Sequence, residues 1–188
     1  YAFSALWMVA ILVVTTLLTY GTGILLGKEN QRFASTKTDN VRSMNEDAKK
    51  TEKSRHLRVK KGIITVALLM VFGILVWLKY GDFLNLNFHN GFKLVGITTE
   101  LTATSLLLPL GISFYTFQSA GYIIDVYRGK IQPETSLAKL ALFVSFFPQM
   151  VQGPISRYSE IARQLYEPHD FDYNRVKFGL QLIVWGYF

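Results

Sequence analysis

The chain has 188 residues, half of them hydrophobic and 18% charged, with a formal net charge of +7; taken as averages, these values nearly suit a soluble domain of ordinary size. The distribution excludes that class. Residues 1–27, 62–78, 101–124 and 140–156 carry no charge, whereas 28–61 holds 11 of the 20 Lys and Arg against 5 of the 13 Asp and Glu, hence +6 of the +7. A soluble fold intersperses its charges, so this segregation predicts an all-α, polytopic transmembrane helical bundle. Cysteine is absent, which removes disulfides and thiolate metal sites. The chain starts at Tyr1 and stops inside the apolar run Phe178–Phe188, so it reads as a piece of a longer protein.

The first predicted span covers about 1–26, long enough to cross a hydrocarbon core of roughly 30 Å. Its Gly21-x-Gly23 pair lacks the third glycine of a dinucleotide fingerprint and reads as small residues easing helix contact. Segment 27–61 follows as a basic loop, a polar connection with Glu46 and Lys50 placed for an i,i+4 pair on a helix. Phe33 is its one aromatic residue, which gives nucleic acid little to stack on; the positive-inside rule puts the loop in the cytoplasm and Tyr1 outside. A second span, 62–80, runs outward to Lys79 and Tyr80, residues suited to the interface. Gly81–Glu100 is then external.

A third span, 101–125, returns to the basic side at Arg128 and Lys130, with a kink or break expected near Pro109 and Gly111. It carries Ser105, Ser113, Tyr115, Gln118, Ser119 and Tyr122, polarity that predicts an inward face. Residues 140–152 are apolar but short and contain Pro148, which fits a re-entrant or short membrane helix over about 138–153. An amphipathic interfacial helix is expected over 156–166, with Ile161 and Leu165 on one face. A truncated helix begins at about 173, capped by Asp172 or Asn174.

No metal site emerges: His56, His89 and His169 lie in separate polar segments without i+3 or i+4 partners and read as surface histidines. The chemically informative groups are polar residues at membrane depth. Gln118, Asp125 and Arg128 approach the inner end of the third span; Gln149, Gln152, Arg157 and Tyr158 bracket a Pro-Gln-Met-Val-Gln-Gly-Pro break. They define either a buried polar pathway or plain interhelical glue, with Asp125 and Arg128 paired at the interface.

Three stretches in order, Leu108-Pro-Leu-Gly-Ile-Ser-Phe-Tyr-Thr-Phe-Gln-Ser119, Tyr122-Ile-Ile-Asp-Val-Tyr-Arg-Gly129 and Phe143-Val-Ser-Phe-Phe-Pro-Gln-Met-Val-Gln-Gly-Pro-Ile-Ser-Arg-Tyr158, resemble the membrane-bound O-acyltransferase family, closest to its bacterial alginate O-acetyltransferase-like branch. Leu78-Lys-Tyr-Gly-Asp-Phe83 and Gly179-Leu-Gln-Leu-Ile-Val-Trp-Gly186 extend the likeness over about 60–188. The resemblance implies a multi-pass enzyme of the cell membrane that moves an acetyl group from a cytosolic thioester, acetyl-CoA, to hydroxyls of an extracytoplasmic glycan or partner protein. It implies no bound cofactor and no nucleic-acid partner. The family's catalytic histidine is expected on a later helix beyond this chain, so no catalytic residue is assigned and the chain by itself is expected to be inactive. Gln118, Gln149, Gly153, Pro154, Arg157 and Tyr158 match motif positions and are expected to shape the substrate tunnel. D-alanyl transfer to teichoic acid is the rival substrate reading; a transporter or channel segment, or a non-catalytic scaffold, are the rival classes.

Overall fold

The computed structural model describes residues 2–39, 46–94, 111–152, 155–168 and 170–187. Seven helices follow in chain order: α1 (Ala2–Asp39), α2 (Glu46–Leu94), α3 (Ile112–Tyr127), α4 (Leu137–Val144), α5 (Phe147–Gln152), α6 (Tyr158–Tyr166) and α7 (Tyr173–Tyr187). Strands do not occur among the described residues, and the all-α expectation holds.

The basic segment is helical wherever it is described, not an irregular connection. Residues 28–39 continue α1 and 46–61 open α2, because Lys, Arg, Glu, Gln and Ala are good helix formers with no break among them. At about 1.5 Å per residue α2 alone reaches roughly 74 Å, well past a bilayer core. Two stretches are long and apolar enough to cross a membrane, Leu6–Ser35 and Thr51–Gly81. Their apolar side chains mostly face outward: Val9, Val13, Leu17, Leu69, Met70 and Trp77 are exposed. Water would penalise that surface at roughly 25 cal/mol per Å², whereas lipid would not.

α1 and α2 run antiparallel, since Glu29 meets His56 while Leu18, Thr22 and Leu25 flank the groove closed by Gly62, Val66 and Met70. α3 lies against both. Asn30 Nδ2 donates to the Val126 carbonyl at 3.4 Å, Lys60 Nζ donates to the Tyr127 carbonyl at 2.8 Å, and Phe72 meets Phe117 edge-on at 5.5 Å. Leu26, Val71, Ile123, Val126, Leu140 and Phe143 form the centre of the shared core. The face of α1 turned inward is a row of threonines: Thr15, Thr16, Thr19 and Thr22 are buried, and each hydroxyl donates to the carbonyl four residues back, at 2.7–2.9 Å. That back-bonding satisfies the hydroxyls inside the helix and lets them pack as small apolar groups.

α3 stops in a Schellman turn. The Lys130 N–H donates to the Asp125 carbonyl and the Gly129 N–H to the Val126 carbonyl, both at 3.0 Å, with Gly129 at φ 70°. The turn then packs under α1, where a Cβ on Gly27 would come within 2.3 Å of Pro133 Cγ. Ser136 caps α4, its side chain accepting from the Lys139 N–H. Asp172 caps α7, accepting from the Asn174 N–H at 2.9 Å. Among the described residues α7 packs against no other helix.

Candidate functional site

The apolar run 140–152 is interrupted at Ser145 and Phe146. The Ser145 N–H and hydroxyl both donate to the Ala141 carbonyl, at 2.8 and 2.7 Å, and close α4. α5 restarts at Phe147 with Pro148 in its first turn, the helical location where a missing N–H and a fixed φ cost least. The redirected chain aims Gln149 at α3, where Gln118 Nε2 donates to Gln149 Oε1. Both amides are buried.

Tyr115, Gln118, Ser119 and Tyr122 share one face of α3 by their 3- and 4-residue spacing. Tyr115 and Gln118 are 2% exposed and Ser119 0%. Among the described residues, Tyr115 Oη, Gln118 Oε1 and Ser119 Oγ are buried without a hydrogen-bond partner. Each such atom costs about 1–3 kcal/mol if nothing bonds to it, so all three call for partners beyond the described residues.

Tyr122 continues this face to α6. Its ring meets the Tyr158 ring edge-on at 5.0 Å, Phe143 meets Tyr158 at the same distance, and the Tyr122 hydroxyl accepts from the Glu134 N–H at 2.8 Å. The Tyr158 hydroxyl donates to Glu134 Oε2 at 2.7 Å, and the Ser136 N–H donates to Oε1 at 2.9 Å. Burial raises the Tyr158 hydroxyl above its ordinary pKa, and its bond to the carboxylate raises it further. Burial by itself would raise Glu134, but the bonds from Ser136 and Tyr158 and the nearby Lys139 charge hold it below the usual carboxylate value.

Of the sequence candidates, Gln118 and Gln149 are thus in direct contact, and Tyr158 lies along the same face but spends its hydroxyl on Glu134. Arg157 is exposed at the N-cap of α6, its carbonyl accepting from the Glu160 N–H at 3.0 Å. Gly153 and Pro154 lie outside the described residues, as do Pro109, His169 and the side chains of Glu46, Lys50 and His89. Asp125 is 8% exposed and forms no ion pair with Arg128 among the described residues. His56 departs from the surface reading: Nδ1 lies 3.1 Å from Glu29 Oε1 and the ring stacks on Phe33 at 4.3 Å. The charged ends of two long helices pack together there, and a His at their seam is covered. Potential metal-holding groups of three or more His, Cys, Asp or Glu are absent among the described residues.

Sequence reasoning missed Glu134. Gly129, Pro133 and the Ser136 cap announce a turn, but nothing in their spacing tells which distant tyrosines meet it.

Fold and site together define a class: an all-helical protein with two candidate membrane-crossing helices and a buried polar face along α3. Within that class, the chain is 46% identical over 70 residues to "Probable alginate O-acetylase AlgI" of Pseudomonas aeruginosa, covering 37% of this chain and 14% of that protein. It is 30% identical over 151 residues to "Peptidoglycan O-acetyltransferase" of Helicobacter pylori, covering 66% and 28%. It is 34% identical over 59 residues to "Teichoic acid D-alanyltransferase" of Bacillus subtilis, covering 31% and 15%. These relatives bear out the resemblance to the membrane-bound O-acyltransferase family and its alginate O-acetyltransferase-like branch. The chain spans under a third of the length of the relatives it matches. No family model and no solved structure matches it.

Proposed function

We propose that this chain is part of a polytopic membrane-bound O-acyltransferase that carries an acetyl group from a cytosolic thioester to hydroxyls of an extracytoplasmic polysaccharide. The observation that carries the reading is the buried amide pair Gln118–Gln149, set where a broken helix meets α3, with Gln118 Oε1, Tyr115 Oη and Ser119 Oγ lacking a partner among the described residues. Apolar helices with such an interior are built to admit something polar while facing lipid. The similarity to two O-acetyltransferases supplies the reaction class.

In the reaction, the acceptor oxygen bonds to the acyl carbon, the C–S bond breaks, and the hydroxyl proton passes through a base to the departing thiolate. The resemblance assigns that base to a histidine outside this chain. Gln118, Gln149 and the α3 tyrosines line the path, positioning reactants and excluding bulk water. The Lys28–Lys61 segment faces the cytoplasm, where the donor arrives.

The test is acyl transfer by the intact protein in proteoliposomes. Labelled acetyl-CoA is supplied on the side of the Lys28–Lys61 segment and glycan on the other. Label crossing to the glycan supports the reading. A D-alanyl donor succeeding where acetyl-CoA fails would move the assignment to the reaction named for the Bacillus subtilis relative. Failure of every acyl donor with correctly inserted protein would leave a transporter or scaffold.

A further inference from the structure

We propose that Glu134 is a positioning residue whose carboxylate clasps Tyr158, setting the entry of α6 against Tyr122 on the polar face of α3. This rests on the reading of that face as a substrate path. Glu134 sits in the turn between α3 and α4 and joins three parts of the chain. Its N–H bonds to Tyr122 of α3, Oε1 receives the Ser136 N–H at the start of α4, and Oε2 receives the Tyr158 hydroxyl of α6. α1 presses on the same turn, since the Tyr20 hydroxyl donates to the Thr135 carbonyl at 2.8 Å and Gly27 abuts Pro133. Tyr166 closes the far side, its hydroxyl donating to the Lys139 carbonyl at 2.7 Å while Lys139 Nζ lies 5.3 Å from its ring centre.

The chemistry of the clasp depends on charge. A carboxylate offers an acceptor oxygen to each of its two donors. Glutamine offers one acceptor and one donor, so one of the two donors loses its acceptor. The Tyr158 hydroxyl can rotate its proton away and accept instead, which the Ser136 N–H cannot, so the loss is expected at Tyr158. Hydrogen bonds to an ionised acceptor are roughly twice as strong as neutral ones, and the lowered Glu134 pKa keeps the group ionised. The titratable and charged groups facing it are Tyr158 and Tyr166 from α6, Lys139 from α4, Tyr122 from α3 and Tyr20 from α1.

The experiment places 3-fluorotyrosine at position 158 of the intact protein in proteoliposomes and follows its ¹⁹F resonance against pH, alongside acyl-transfer kinetics. In Glu134→Gln the resonance is expected to titrate at lower pH than in wild type. Its kcat should fall about tenfold, the equivalent of one hydrogen bond to a charged group, with little change in donor KM. Tyr158→Phe should fall equally, and the double variant no further. An unchanged titration overturns the clasp, and a shifted titration with full kcat overturns its positioning role. Should Glu134→Gln fail to fold, Tyr158→Phe decides alone, full kcat there overturning the proposal. Wild-type protein that transfers no acyl group, yet shows the shift, overturns the proposed function and the positioning role together and leaves the contact as a feature of the fold.

Discussion

Gln118 and Gln149 hydrogen-bond to one another inside an apolar helix layer, and each is therefore held hostage to the other. Replacing one, as in Gln149→Leu, leaves the Gln118 amide buried with nothing to receive its proton. That should cost about 1–3 kcal/mol, read as a lowered unfolding midpoint in detergent. The double replacement should be milder than the sum of the two. Gly27 makes a different demand: an added Cβ would lie 2.3 Å from Pro133 Cγ, whereas one on Gly21 meets nothing within 4 Å. Gly27→Ala is expected to lose about 1–3 kcal/mol through forced separation of α1 from the turn, and Gly21→Ala to be neutral in the same melt. Glu134 adds a pH term of known sign. Its folded pKa lies below the usual 4.5, so the stability it contributes is fully present above 4.5 and lost as pH falls below it through the lowered value. An acid titration of thermal stability should show that loss in wild type and less of it in Glu134→Gln.

At the scale of elements, the break between α4 and α5 sets where Gln149 points. Pro148 cannot donate to Val144, and its ring would clash with that carbonyl in a continuous helix. The chain accordingly closes α4 at Ser145 and restarts at Phe147. Pro148→Ala removes that obstacle, and the two helices are expected to merge, rotating residue 149 away from α3. Cysteines introduced at 118 and 149 in this cysteine-free chain should react together with a short bis-thiol crosslinker. The crosslinked yield should drop in the Pro148→Ala background. Pro148 and the shortness of the apolar run pointed to an interruption, but in the Pro148–Pro154 stretch; the structure places it one turn earlier, at Ser145 and Phe146, with Pro148 inside the first turn of α5. What it delivers, the meeting of Gln149 with Gln118, was not legible in the sequence, because residues 31 apart carry no mark of each other.

For the whole molecule, α1 and α2 form an antiparallel pair whose charged ends, joined by Glu29 and His56, project beyond the apolar stretch. Single cysteines at Lys53 and Tyr80 test the topology in sealed vesicles. An impermeant maleimide should label position 53 from the cytoplasmic side and position 80 from the opposite side. Labelling of both from one side would remove the membrane-crossing assignment of α2. The helical character of the charged segment, wider among the described residues than the one helical pair at Glu46 and Lys50 foretold, reflects its composition: rich in helix formers and free of Pro and Gly from Lys28 to Lys61.

By itself the sequence determined the all-helical class, the apolar stretches and the family resemblance. All of these rest on local composition, periodicity or contiguous motifs. Only the tertiary structure decided that α3 packs against both α1 and α2, that Gln118 finds Gln149, that His56 is covered by Phe33, and that Glu134 gathers Tyr122 and Tyr158 around one turn. These side-chain pairings join residues from 12 to 31 positions apart, and the bond of Tyr20 to the Thr135 carbonyl spans 115. Short-range propensity fixes which residues are helical. Which helix face meets which is set by packing and by the need of buried polar atoms for partners, and neither is encoded in any one segment.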